Sequence, residues 1–558
     1  MAINPREYNT SAESPVAGIL AASGRALLAL ILLSALLVSD LRTAPHEWAY
    51  GPDRSFGAIT GPYARLLSAS TDLGPSTDRS AQVTATLHSS ARPAQLHRWA
   101  GAHALSVRWR PGDTWAVVEG RSRDMAAAFG VDIHDYRGRR GQQFYASPQQ
   151  PAIPESLHTE VAALGRILGY TPYRMSKPDL QQLPSDVPDR GLAPQGILNT
   201  YNLTGLARQG FTGKGSTIVI FAFDGFHQTD LDTFADTFGL PRFTPTLVGG
   251  QPSEPRGETT MDLQVAHAVA PDAHKVVVNA RPTVHGDGAY EKIGQMLESA
   301  DRQFPGAVWS FSIGWGCDKL LTAADLAPVR SALSTAHTHG TTAFNASGDL
   351  AGLECRSGQD WSSPPSVDDI GLDSVASLPE ITNVGGTTLT TTVDGDWLAE
   401  QAWFDVPLSL GTGGGVSALF DRPDWQRQVT TPDGADAEQR RLTPDISAVA
   451  DPFTGLKFVL NGQILVGGGT SQAAPLWAGI AAVLNQYLIA NGGRSMGDLN
   501  PMLYRIARGA PLPAFRDVTL GGNATASAGP GYDLATGLGT PHAENLAKNL
   551  LLLQKANR

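Results

Sequence analysis

The chain has 558 residues, 42% of them apolar, with 60 Gly and 38 Pro. That length exceeds one ordinary domain, and the composition excludes fibrous and disordered classes. A formal charge of −11 and a pI near 5.6, with no basic run, argue against nucleic acid as a partner. Two cysteines, Cys317 and Cys355, exclude a disulfide-dense scaffold or a Cys-rich zinc module and permit one bridge if the chain is exported.

Taken in chain order, the first element is apolar. Arg25 is followed by "ALLALILLSALLV", thirteen residues from Ala26 to Val38, a length that suits the core of a signal peptide. "SDLRTAPHEWA" offers no small-x-small cleavage site, and "VAGILAA" just upstream extends the apolar run. Residues 1–44 therefore read as a signal peptide or an uncleaved membrane anchor. Either way the rest is expected outside the cell, secreted or held at the outer face of the membrane. Residues 45–80 are rich in Ser, Pro, Gly and Asp and read as a linker.

Over 81–176, "AQVTATLH" and "TWAVVEG" alternate as strands, while "PAQLHRWAGAHA" and "RDMAAAFG" have helical spacing, which predicts a small α+β domain. The polar, Pro-rich stretch 177–196 reads as an exposed processing linker. From 197 to 558, short apolar strands ("STIVIFAF", "HKVVVNA", "AVWSFSIGWG", "TTAFNASGD") alternate with helices ("YEKIGQMLESADRQ", "APVRSALSTAHTHG"). That order predicts an α/β fold with a parallel sheet covered on both faces. Residues 81–190 hold 13 Lys/Arg against 10 Asp/Glu, and residues 191–558 hold 23 against 36. The two parts attract at neutral pH, and the attraction fades as carboxylates protonate.

In "VGGGTSQAAPLWAGIAAVLNQYL" a Gly-rich turn presents Ser471 immediately before an apolar helix. A nucleophilic serine is displayed in this way at the end of a parallel strand, and so is a plain capping serine. A nucleophile needs a base. Asp224, His339 and Ser471 follow the Asp–His–Ser order of subtilisins, but His339-Gly-Thr ends a helix instead of opening one. His267 is five residues past Asp262, off its face, and reads as structural. Glu258 and Asp262 lie four apart on one helical face, a spacing at which like charges repel. They are either a solvated surface or a pair sharing a proton.

Eight motifs occur in order: "ETTMDLQVAHAVAP", "SIGWG", "ASGD", "LPEITNVGGTTL", "AWF…GTGGGVSALFDRPDWQ", "RLTPDISAVADP", "GGTSQAAP" and "GYDLATGLGTP". Together they resemble the sedolisin family of serine-carboxyl peptidases, over essentially all of 197–545, and the 81–176 domain is similar to that family's activation propeptide. The resemblance implies a subtilisin-like parallel sheet over 197–558. It makes Ser471 the nucleophile, Glu258 the general base, Asp262 its supporting acid, Asp349 the oxyanion-hole acid, and Trp315 an active-site support.

It further implies one calcium ion, held by side chains of Asp517 and Asp533 and backbone carbonyls of Val518, Gly529 and Gly531. Gly314 and Gln472 depart from residues usual in the family. Cys317 and Cys355 flank the expected site, either bridged or as two free thiols. The function that follows is an exported acid-active endopeptidase made as a zymogen, acting on protein or peptide substrates. Its own propeptide is the intramolecular inhibitor, and a monomer is expected. The alternatives are a tripeptidyl-peptidase of the same family, a conventional Ser-His-Asp enzyme, or a catalytically silent secreted protein of the same fold.

Overall fold

Strand Thr217–Ala222 shows why the sheet of this protein is covered on both faces. Ile218, Ile220 and Ala222 point into one core, while Val219 and Phe221 point into another, the period-two alternation of a strand with apolar residues on both sides. In this computed structural model, which describes residues 58–139, 141–171, 191–356, 365–406, 409–434 and 439–556, that strand lies near the middle of an eight-stranded sheet. The order runs Trp397–Ala402, Thr382–Thr391, Thr342–Ala346, Val308–Phe311, Thr217–Ala222, His274–Asn279, Thr246–Val248, with Ile446–Val449 also pairing Thr382–Thr391. All pairings are parallel except that of the edge strand Trp397–Ala402, so the predicted doubly covered parallel sheet is the observed one.

Helices Glu258–Val269 and Thr470–Ala490 cover one face. They cross where Gly479 meets Val269, and a Cβ on Gly479 would lie 2.8 Å from the Val269 Cβ. Helices Ala289–Gln303 and Ala327–Thr338 cover the other face. The 21 residues of Thr470–Ala490 are long and apolar enough to span a membrane, yet 78% of that window is buried inside the fold. Their apolarity is that of a core helix.

The N-terminal domain carries its own core. An antiparallel sheet, ordered Ser106–Arg108, Trp115–Arg121, Ser80–Leu87, Val161–Leu164, packs Val83, Ala85, Ala116 and Val118 against Leu96 and Ala100 of helix Ala94–Ala102 and Met125 of helix Ser122–Phe129.

Two boundaries differ from the sequence reading. Residues 58–80, read as linker, contain helix Pro62–Ser68 and strand Thr71–Pro75. The polar composition concealed Tyr63, Leu66 and Leu67, an i, i+3, i+4 set that packs with the second core, Tyr63 being fully buried. At the other end, Leu192 pairs with Leu456 and helix Pro194–Thr200 belongs to the C-terminal domain, so the processing linker ends before 191. Its remainder, 177–190, and the apolar segment of 1–44 lie outside the described residues.

Candidate active site

In a parallel sheet the loops leaving the carboxyl ends of neighbouring strands converge on one crevice. Asp224 stands two residues past strand Thr217–Ala222, Ser312 directly past Val308–Phe311, and Asp349 three past Thr342–Ala346. The N-termini of helices Glu258–Val269 and Thr470–Ala490 bring Glu258 and Ser471 to the same edge.

The Ser471 helix begins at Gly469, whose φ of 81° is left-handed and whose Cβ, if present, would lie 2.9 Å from Asp349 Oδ2. Glycine is required there on both counts. Thr470 ties the Ser471 turn to Asp349: its N–H and Oγ1–H both donate to Asp349 Oδ1 at 2.8 Å. Pro475, four residues on, has no amide for the Ser471 carbonyl. The Ser312 hydroxyl occupies that place at 3.1 Å and stands at the same distance from Asp262 Oδ1. Gln472, one of the family departures, turns away from the crevice, its side chain bonding Leu456 N–H and the Val449 carbonyl. It braces the helix start and leaves the chemistry untouched.

Every residue of Glu258–Val269 is buried, so the four-apart acids are not a solvated face. The helix starts at Gly257, which has no side chain to cap it. Asp224 supplies the cap: Oδ1 accepts from Thr259 N–H at 3.0 Å and Thr259 Oγ1 at 2.6 Å, and Oδ2 accepts from Arg256 N–H at 2.8 Å. Burial, then the charges of Asp262 and Asp224, hold Glu258 well above the usual carboxylate range; the Ser471 hydroxyl acts in the opposite sense. Neither Glu258 oxygen makes a hydrogen bond of ordinary geometry, so the Ser471 approach is a loose one. Asp262 is raised too, by burial and by Asp224, with Ser312 opposing. Two such interacting groups release their protons in separated steps.

Trp315 is buried; its ring meets Phe223 edge-on at 5.5 Å, its backbone N–H donates to Asp373, and its backbone carbonyl accepts from Tyr290 Oη and Ser374 Oγ at 3.3 Å. A Cys317–Cys355 disulfide joins its loop to the segment following Asp349. The histidines stand elsewhere. His339 caps the end of Ala327–Thr338 and pairs with Asp301 at 2.7 Å, and His267 is buried against Phe243 and Lys275. Asp224 and His339 therefore belong to different neighbourhoods, and a Ser-His-Asp arrangement with these residues is not formed.

Near the C-terminus two loops meet, Gly531 N–H donating to Asp517 Oδ2 at 2.8 Å and Gly529 N–H to Asp533 Oδ2 at 3.1 Å. Asp533 is fully buried and pushed up to about 6 by that burial. The expected donors are all oxygens, the set a hard cation takes, and Asp533 is held in place by Ala535 N–H, Thr536 N–H and Thr536 Oγ1–H as well. The residues present fit calcium.

The N-terminal domain docks on the helices of the second face. Arg108 pairs with Glu291, Arg110 forks onto Glu298 at 2.7 and 2.6 Å, and Arg65 reaches Asp369 at 2.7 Å. Asp325, buried between the domains and pushed up to about 6, accepts from Arg166 N–H at 3.0 Å.

A serine at the head of a helix, buried carboxyl groups in the place of a histidine, and a docked N-terminal domain define the class: a serine-carboxyl peptidase with its propeptide. Residues 78–167 match the family model "Pro-kumamolisin, activation domain". Kumamolisin of Bacillus sp. (strain MN-32) is 30% identical over 484 residues, covering 82% of this chain and 83% of that protein. Tripeptidyl-peptidase 1 of Homo sapiens is 27% identical over 459 residues, 76% of each. The solved Pseudomonas sedolisin, a serine-carboxyl proteinase complexed with two molecules of pseudo-iodotyrostatin, superposes with a TM-score of 0.53 at 26% identity, covering 64% of this chain and 97% of that one. The chain belongs to the sedolisin family of serine-carboxyl peptidases.

Residue reading alone missed Ser312, Thr470 and the capping role of Asp224. The signal available for Ser312 was Pro475, four residues after the nucleophile, which leaves one carbonyl in need of an outside donor.

Proposed function

We propose that the chain is an exported zymogen whose mature form is an acid-active endopeptidase. Glu258, in the singly protonated pair with Asp262, takes the proton of Ser471. Ser471 Oγ attacks the peptide carbonyl, and a protonated Asp349 donates to the developing oxyanion. Collapse expels the amine, which takes its proton from Glu258, and water then hydrolyses the acyl-enzyme by the same steps. One carboxyl ionised while another is neutral is a state reached in acid.

The observation that carries this reading is the meeting of Ser471, Glu258, Asp262 and Asp349 at one sheet edge, with Ser312 and Thr470 as links. The Cys317–Cys355 bond supports export, since such bonds persist in oxidising compartments. The oxygen-lined loop around Asp517 and Asp533 supports one bound calcium ion, which would hold the two loops together. Ion pairs between the domains support release of the propeptide in acid, and self-cleavage would then fall within 177–190.

The tripeptidyl-peptidase relatives support a second reading of the same chemistry, release of tripeptides from free N-termini.

The test is hydrolysis of a denatured protein from pH 2 to 9 by wild type, Glu258→Ala and His339→Ala, with the products sequenced. Activity confined to acid, lost with Glu258 and retained without His339, is expected. A neutral optimum that depends on His339 would refute the carboxyl mechanism. Internal cuts, as against tripeptides alone, separate the two readings.

A further inference from the structure

Asp224 entered the sequence reading as the acid of a histidine triad, and the structure gives it different company. It is fully buried, and its carboxylate accepts three hydrogen bonds, all from the segment that opens the helix of Glu258 and Asp262. A fourth contact, Thr259 Oγ1 to the Asp224 backbone carbonyl at 3.0 Å, ties the same turn to the end of strand Thr217–Ala222. We propose that Asp224 is a positioning residue for the Glu258–Asp262 pair, fixing the first turn of their helix against the sheet and setting a third buried carboxyl group beside both acids. This rests on the reading of those two acids as the catalytic base.

A neutral Ser, Thr or Asn caps a helix start about as well as Asp. A charged cap beside two buried acids is costly unless the charge serves the pair. The helix N-terminus stabilises it in part. The groups around it are few. Glu258 and Asp262 face it from the helix, and its charge is among the causes that raise both. Glu254 and Arg256 lie in the preceding loop with both residues exposed. Arg281, from the turn after His274–Asn279, reaches the Phe223 carbonyl at 3.4 Å. With a third acid close by, the pair keeps its shared proton to higher pH than two acids would alone, and the first turn holds Glu258 at the nucleophile.

The experiment uses the acid-matured chain and a fluorogenic peptide, following kcat and KM from pH 2 to 8 for wild type, Asp224→Asn, Thr259→Val and Glu258→Ala. Asp224→Asn is expected to move the alkaline limb of the kcat profile, on which the pair loses its shared proton, to lower pH by about half a unit or more, with KM little changed. Thr259→Val keeps the charge and loses a donor, so kcat is expected to fall roughly three- to tenfold with the profile unmoved. A folded Asp224→Asn enzyme with the wild-type profile would overturn the proposal. If that variant does not fold, Thr259→Val at wild-type kcat overturns it instead. Activity retained in Glu258→Ala would defeat the base assignment, a separate failure.

Discussion

The Ser312 hydroxyl donates to the carbonyl of Ser471 at 3.1 Å, in the place that Pro475 leaves empty in the helix ladder. The same oxygen touches Asp262, so Asp262 and the backbone of Ser471 are joined through one side chain. Ser312→Ala removes that hydroxyl donor from the Ser471 carbonyl and from Asp262. The expected result is a kcat lowered by about tenfold with KM little changed, partly restored by Thr at the same position. Pro475→Ala supplies an amide to the carbonyl, so the double variant should recover part of the melting temperature lost by Ser312→Ala. A Ser312→Ala enzyme with wild-type kcat would dismiss the link.

His267 sets a stability penalty in acid. Its Nε2 donates to the Pro241 carbonyl at 2.7 Å, its Nδ1 accepts from Lys275 at 2.9 Å, and burial with Lys275 lowers it to about 3. The folded value lies below the unfolded 6.5, so the stability it contributes is complete above pH 6.5 and is lost as pH falls from there towards 3. At pH 4 the loss is about 3 kcal/mol. His267→Gln, which keeps an acceptor for Lys275, should flatten the fall in melting temperature between pH 6.5 and 4. An unchanged slope would mean that the imidazole is protonated in place.

The loop of Asp517 and Asp533 predicts a metal-dependent stability. Excess chelator should lower the melting temperature by several degrees, calcium should restore it, and Asp517→Ala should abolish the difference. A melting curve indifferent to chelator rejects the site.

The ion pairs between the domains predict the pH of activation. Arg110–Glu298 and Arg108–Glu291 are part-exposed pairs, each worth about 0.5 kcal/mol, and they weaken as their carboxylates protonate. Asp325 acts in the opposite sense. Docking raises its carboxyl to about 6 from an ordinary 3.8, so between those values acid neutralises it in place and favours docking. The arginine pairs thus favour release as pH falls, and Asp325 opposes it. Arg108→Ala/Arg110→Ala should shorten the maturation half-time in mild acid by roughly three- to tenfold, measured by gel. An unaltered half-time would place the trigger elsewhere.

The doubly covered sheet was legible in strands such as Thr217–Ala222, because alternate apolar residues on both faces are a local pattern that the backbone reproduces without further information. The peptidase class was legible as well, since its motifs are short and keep their order. The linker reading of 58–80 failed because Tyr63, Leu66 and Leu67 amount to one apolar turn, which is recognisable only when another surface covers it. Whether Glu258 and Asp262 were a wetted helix face or a proton-sharing pair was likewise undecidable at four-residue spacing. Burial of all twelve helix residues between the sheet and the Ser471 helix excludes the wetted face, and desolvation, absent from any sequence pattern, raises both carboxyl groups. Asp224 and His339 make the same point in reverse. Their order along the chain suggested partners, and the sheet sends one to the Glu258 helix and the other to Asp301. Sequence carries residue type and local period; which charges share a solvent-free site is set by strand order alone.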